Sequence, residues 1–265
     1  MPRGARSLLA SLIVLACGCS GGAATTAVAT TVAPTSAPVA PSNATSAPST
    51  TGPPATDAPA PEVVASDAPV ADVPATAPAF AAGVEAVTAA DLPSTWRDGC
   101  PVGPESLRRL TLTYWGFDDA AHTGTLVINA AVADSVTAAF RALYEARFPI
   151  RQMVPVDVYG GSDDASLAAD NTAGFNCRLA VADGPPAWSQ HAYGLAIDVD
   201  PVENPSLLDG QTYPPAGAEF LDRDNVRPGM ATAAGPLVQA FAAIGWGWGG
   251  VWRNVDYQHF SRSGT

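Results

Sequence analysis

Hydrophobic and polar positions change rhythm once along this chain, near Asp91. From Gly21 to about Ala90 there is neither a helical nor an alternating period, Pro recurs every few positions, and no aromatic residue precedes Phe80. A segment of Ala, Thr, Pro, Ser and Val buries too little apolar surface to offset its ordering entropy, and proline keeps it extended. It reads as a disordered, semi-stiff spacer. Beyond Asp91 aromatic and charged residues return, and about 175 residues make one domain with room for a proper core. Arg109–Trp115 and Gly124–Asn129 alternate as half-buried strands joined by a short loop. Asp134 is placed to cap a helix carrying Val136, Phe140, Leu143, Tyr144 and Phe148 on one side, closed by Pro149. Met153–Tyr159 reads as a strand kinked at Pro155, and Ser162 or Asp163 starts a short helix through Asn171. Gly194–Val199 is a further strand, and Ala234–Ile244 a helix stopped by Gly245. This order predicts an α+β domain over 91–265 with a central sheet.

Composition changes the picture at the N-terminus. Residues 1–20 begin with Arg3 and Arg6, continue through the apolar run Leu8–Ala16, and read as an export signal. The run is too short to span a bilayer. Cys17 and Cys19 follow it directly: Val14-Leu15-Ala16-Cys17 approximates a lipobox, with Cys19 as the alternative lipidation site. Lipidation would anchor the chain to a membrane face, whereas an ordinary secretory peptide would simply discard both cysteines. Export leaves Cys100 and Cys177, for which one disulfide is expected, with two free buried thiols or a cysteine–zinc site as the alternatives. The net charge of −12 argues against a nucleic-acid partner, which demands a basic face.

The candidate chemistry sits in two short segments. Ser189-Gln-His-Ala-Tyr-Gly-Leu-Ala-Ile-Asp198 and Asp256-Tyr-Gln-His259 contain two of the three histidines of the chain. Catalytic zinc takes three protein ligands and keeps a fourth position open. Asp198 and Ala196 share a strand face, His191 lies in a loop before it, and a bend brings Asp256 and His259 to one place. His191, Asp198 and His259 are therefore the expected Zn2+ ligands, and Asp256 the base that takes a proton from the metal-bound water. Alone, His259 reads as a packed histidine and Asp198 as a turn cap; their joint occurrence points to a metal. The third histidine, His122, falls in a hairpin-like loop and reads as surface or structural, or as a cleft-edge residue. Gly160-Gly-Ser-Asp-Asp164 lacks the lysine of a phosphate loop and reads as a turn near the cleft. Trp188, Tyr193, Trp246, Trp248 and Trp252 read as core and cleft walls.

These motifs resemble the VanY-like family of D-alanyl-D-alanine carboxypeptidases and L-alanyl-D-glutamate peptidases. That family carries S-x-H-x-x-G-x-A-x-D and, later, an acidic residue three before a histidine, matched here by Ser189, His191, Gly194, Ala196, Asp198, Asp256 and His259. Gly245–Trp252 ahead of Asp256 is similar to the endopeptidase-type branch, and the resemblance spans roughly Trp96 to Ser261. It implies a small zinc-peptidase fold, a central antiparallel sheet flanked by helices, and peptidoglycan stem peptides as substrates. It also implies an arginine upstream of the first motif. Here Asp164-Ala165-Ser166 has none, and Arg178 is the substitute candidate, its alternative being a surface ion pair beside the disulfide. The resulting expectation is an exported, lipid-anchored zinc peptidase acting in the cell wall. Two competitors stand beside it: a catalytically inactive wall-binding lipoprotein on the same fold, and a purely structural anchored domain that binds no stoichiometric metal.

Overall fold

In this computed structural model the described residues are 78–181 and 185–265. The expected signal peptide over 1–20, with Cys17 and Cys19, and the linker through residue 77 lie outside them. The fold is α+β, built from three antiparallel sheets and three α-helices. The first sheet has the order β1 (Ala82–Ala86), β2 (Leu107–Trp115), β3 (Ala121–Asn129). Helix α1 (Ala133–Glu145) packs on it. Helix α2 (Asp163–Ala168) precedes β4 (Ala196–Asp198), and β5 (Ser206–Leu208) and β6 (Gln211–Tyr213) form a separate hairpin. Helix α3 (Pro236–Ala243) then leads into β7 (Gly247–Trp248) and β8 (His259–Ser261), which complete a sheet of order β4-β8-β7. Among the described residues no helix is long and apolar enough to cross a membrane.

The larger of two hydrophobic clusters joins these parts. Val136, Phe140 and Leu143 of α1 face Leu110, Leu112, Leu126 and Ile128 of β2 and β3, with Leu237 and Phe241 of α3 in the same cluster. The Phe241 ring stacks on Phe260 of β8 at 4.4 Å and meets Phe140 edge-on at 6.2 Å. Burying side chains of this size contributes about 1.5–3 kcal/mol each, so the sheet carrying His259 is fixed by the same packing that fixes α1 and α3. The segment 172–176 ties the two larger sheets together. Ala173 bridges Asp198, and the Phe175 N–H donates to the Val127 carbonyl at 2.7 Å.

Several expectations need correction. Strand β1 falls inside the 21–90 span assigned to the linker; all five of its residues are exposed, so it is held by backbone pairing with β2 and leaves no hydrophobic period to read. Asp134 sits in the first turn of α1 rather than at its cap, and Asn129 instead accepts from Ala131 N in the 3-10 turn leading into the helix. Met153–Tyr159 is not a strand: Val156–Tyr159 forms a 3-10 helix after Pro155. Asp157 there accepts hydrogen bonds from Ser94 N and Thr95 N at 2.9 and 3.0 Å, a tertiary anchor that overrides local β preference. Helix α2 starts at the Ser162 cap but ends at Ala168, short of Asn171.

Candidate metal centre

Strand alternation places the acid and one of the histidines. In the β4–β8 pair Asp198 is opposite His259 and Ile197 opposite Phe260. Successive residues point to opposite faces, so the Ile197–Phe260 pair enters the core while the Asp198–His259 pair faces away from it. His191 arrives from a 3-10 turn, Gln190–Tyr193, whose cap Ser189 accepts from His191 N at 3.2 Å. Gly194 closes that turn at φ +66°, where its carbonyl accepts from Asn129 N at 2.8 Å. A Cβ at 194 would stand 2.6 Å from Asn129 N, so both conformation and space require glycine.

Three potential ligand atoms converge. His191 Nε2 lies 3.1 Å from Asp198 Oδ2, His259 Nδ1 lies 3.1 Å from Asp198 Oδ1, and the two imidazole nitrogens are 3.3 Å apart. All three residues are buried. The other nitrogen of His191, Nδ1, is 2.7 Å from the Gly174 carbonyl, which can only accept, so Nδ1 carries the hydrogen and Nε2 presents its lone pair to the cluster. Burial penalises the charged form of His191, yet the Asp198 carboxylate outweighs it and raises the imidazole above its ordinary pKa. Burial also works against an ionised Asp198, but the facing His191 charge and hydrogen bonds from both histidines hold that carboxyl far below the usual range.

These residues fit a zinc ion. Ligand atoms about 2.0–2.1 Å from one tetrahedral ion stand about 3.3 Å from one another, close to the 3.3 Å between the two imidazole nitrogens and the 3.1 Å from each to an Asp198 oxygen, Oδ2 for His191 and Oδ1 for His259. Two imidazoles and one carboxylate leave the fourth position open, and the His191–Gly174 bond is the outer-shell contact that metal-binding histidines use to hold tautomer and ring orientation.

Asp256 stands beside this group. Its backbone bridges Ser206 at the foot of the β5–β6 hairpin, and its N–H donates to Gly249 at 3.1 Å. The Asp256–His259 turn closes through a bond from His259 N to Asp256 O. Asp256 Oδ1 is buried without a hydrogen-bond partner. Burial, reinforced by the Asp198 charge, pushes the carboxyl up to about 6. The group opens into a cleft of about 650 Å³ that includes His191, Asp198, Asp256 and His259. Its lining includes Leu207, Leu208 and Tyr213 of the β5–β6 hairpin together with Arg178, Ala180 and Trp188.

The remaining expected residues are distributed as follows. Arg178 lines the cleft and makes an ion pair, Nη2 to Asp163 Oδ2 at 2.9 Å. Cys100 and Cys177 form a disulfide, which fixes the start of the wall carrying Arg178. His122 is not in a loop but in β3, opposite Tyr114 of β2; it lies outside the cleft and pairs with Asp118 of the β2–β3 loop at 2.9 Å. Gly160 and Gly161, both at positive φ, make the turn into α2, whose Asp163 and Asp164 reach the cleft. Trp188 and Trp252 line the cleft, and Trp246 is core. Sequence reasoning did not single out Asp163 or the β5–β6 wall. Asp163 becomes notable only once Arg178, fifteen positions on, folds against it, and the hairpin strands are too short to show a period.

No curated protein and no solved structure matches the chain. Residues 183–262 match a family model described as D-alanyl-D-alanine carboxypeptidase. The match contains His191, Asp198, Asp256 and His259, the group whose convergence the fold produces. Over this segment the chain is similar to the D-alanyl-D-alanine carboxypeptidase family of peptidases, in agreement with the VanY-like resemblance of its two motifs.

Proposed function

We propose that the protein is a zinc-dependent peptidase that hydrolyses peptidoglycan stem peptides. The observation that carries this reading is the convergence of His191, Asp198 and His259 beside the unpartnered Asp256 carboxyl, in a cleft of about 650 Å³. Peptidase-family membership of the same segment supports it. His191 Nε2, His259 Nδ1 and Asp198 would hold the ion. When bound there, zinc lowers the pKa of a coordinated water to about 7 and polarises the scissile carbonyl.

The chain's own groups supply the rest. Asp256 accepts the proton of the attacking water and returns it to the leaving amine, a role that needs a carboxyl with an elevated proton affinity. Arg178 donates to the oxygen of the tetrahedral intermediate from the cleft wall. Leu207, Leu208 and Trp188 exclude water from the peptide on either side. No side chain becomes covalently attached to substrate. Export through residues 1–20, lipidation at Cys17 or Cys19, and the Pro-rich spacer would hold the domain off the membrane, within reach of the wall.

The competing reading, a wall-binding lipoprotein without activity, draws on Ala165, where the family carries an arginine. The test is to strip the full-length protein with a chelator, restore stoichiometric zinc, and follow muropeptides by mass spectrometry. Cleavage that disappears with the metal and returns with zinc supports the peptidase. Zinc binding with intact muropeptides would favour the inactive lipoprotein.

A further inference from the structure

The cleft contains an imbalance of charge that bears on which bond it can accept. Four carboxylates line it, Asp163, Asp164, Asp198 and Asp256, against one arginine, Arg178, among the described residues. The chain has no lysine. A divalent ion would offset Asp198 and Asp256, leaving Asp163, Asp164 and Arg178 to set the sign of the rest.

Arg178 is not free to neutralise an incoming anion. Its Nη2 is 2.9 Å from Asp163 Oδ2, and Asp163 Oδ1 accepts from Asn176 Nδ2 at 3.4 Å, which orients the carboxylate toward the arginine. Asp163 is itself fixed at the first position of α2, behind the Ser162 cap, and Asn176 and Arg178 flank the disulfide-bound Cys177. Both partners are about three-quarters buried, 25% and 30% exposed at the side chain, so solvent screens the pair only in part. The next acid, Asp164, is exposed at the cleft rim and makes no ion pair among the described residues. Arg253, exposed between the lining residues Trp252 and Asn254, does not line the cleft.

We infer that Asp163 determines specificity: by balancing Arg178 it makes the cleft reject a free carboxylate beside the scissile bond and accept an internal peptide bond. A carboxypeptidase must desolvate a terminal carboxylate and therefore needs an unbalanced cation to receive it. Here that carboxylate would meet a cation already paired, with Asp163 and Asp164 as like charges alongside. An uncharged peptide carbonyl loses nothing by this arrangement, because a paired guanidinium keeps N–H donors for the oxygen that becomes negative only in the transition state. This inference rests on the peptidase reading above and chooses between its two reaction types.

The test uses the zinc-loaded full-length protein and a synthetic pentapeptide stem ending in D-Ala-D-Ala, as the free acid and as the C-terminal amide. Mass spectrometry reports which bond is cut, and calorimetry with metal-free Asp256→Ala protein reports binding of each peptide. The wild type should release the terminal alanine of the free acid at least tenfold more slowly than it cuts amide-flanked bonds. It should also bind the amide more tightly. Asp163→Asn should raise release from the free acid about tenfold and remove the binding difference, while Asp163→Glu, which keeps the charge, should behave as the wild type. Terminal release as the faster wild-type reaction, or a ratio that Asp163→Asn leaves within twofold, overturns the inference. Cleavage of neither peptide with zinc bound overturns the peptidase reading itself.

Discussion

The Nδ1–H of His191 donates to the carbonyl of Gly174 at 2.7 Å, and this bond couples the metal centre to the segment that joins the two larger sheets. Gly174 has no room for a side chain: a Cβ there would stand 2.5 Å from the Val127 carbonyl oxygen and 3.0 Å from Ile128. Gly174→Ala should therefore displace the carbonyl that orients His191. Outer-shell losses of this kind cost about 10–100-fold in metal affinity. Competition against a chromophoric chelator checks the figure, and an unchanged zinc affinity would remove Gly174 from the role.

A second prediction concerns pH. Glu203 is buried beside Asp170 and Arg151, with Arg151 Nη2 at 3.1 Å from Glu203 and Nε at 3.4 Å from Asp170. One arginine serves both carboxyls, and the fully buried Asp200 lies in the same cluster. Burial, then the Asp170 carboxylate, raises Glu203 to about 7 from an ordinary 4.5. The folded chain thus keeps a proton that the unfolded chain loses. The stability this contributes is complete below about pH 4.5 and is lost as pH rises through about 7. Urea midpoints should fall between pH 5 and 7.5, and Glu203→Gln should flatten that slope; an identical slope in the variant would contradict the assignment.

The disulfide supplies a third. Cys100 and Cys177 close a loop with a sequence separation of 77. By the chain-entropy relation such a closure contributes about 4–5 kcal/mol through the unfolded state. Cys100→Ser with Cys177→Ser should lower the unfolding free energy by about 2–5 kcal/mol and, because Arg178 follows Cys177 directly, weaken peptide binding more than zinc binding. Denaturant titration and calorimetry on the same variant separate the two effects.

Zinc itself should stabilise the fold. A ligand at about 100 times its dissociation constant adds about 2.7 kcal/mol to a folded state that alone binds it. Thermal unfolding should shift upward with zinc in the wild type and not in His259→Ala, which removes one ligand. An equal shift in that variant would move the metal elsewhere.

What could be read from the sequence was whatever alternates or repeats at fixed spacing. Asp198 was legible because it follows the core residue Ile197 on a strand whose faces alternate, and His259 because it stands three positions after Asp256. The β2–β3 pair and the apolar face of α1 were legible for the same reason. Strand β1 was not, since its five residues are all exposed. Met153–Tyr159 misled because its conformation is settled by Asp157 holding Ser94 and Thr95, more than sixty positions away in sequence. The pairing of Asp163 with Arg178 is likewise a tertiary event; each residue alone looks like ordinary surface charge.

The central claim is that Asp256 moves the proton while His191, Asp198 and His259 hold zinc. The most direct measurement compares zinc-loaded wild-type protein with Asp256→Ala, with metal content and muropeptide cleavage determined on the same samples. One zinc per chain is expected in both, with turnover reduced at least 100-fold in the variant, the scale of a lost general base. Turnover retained with zinc bound would contradict it.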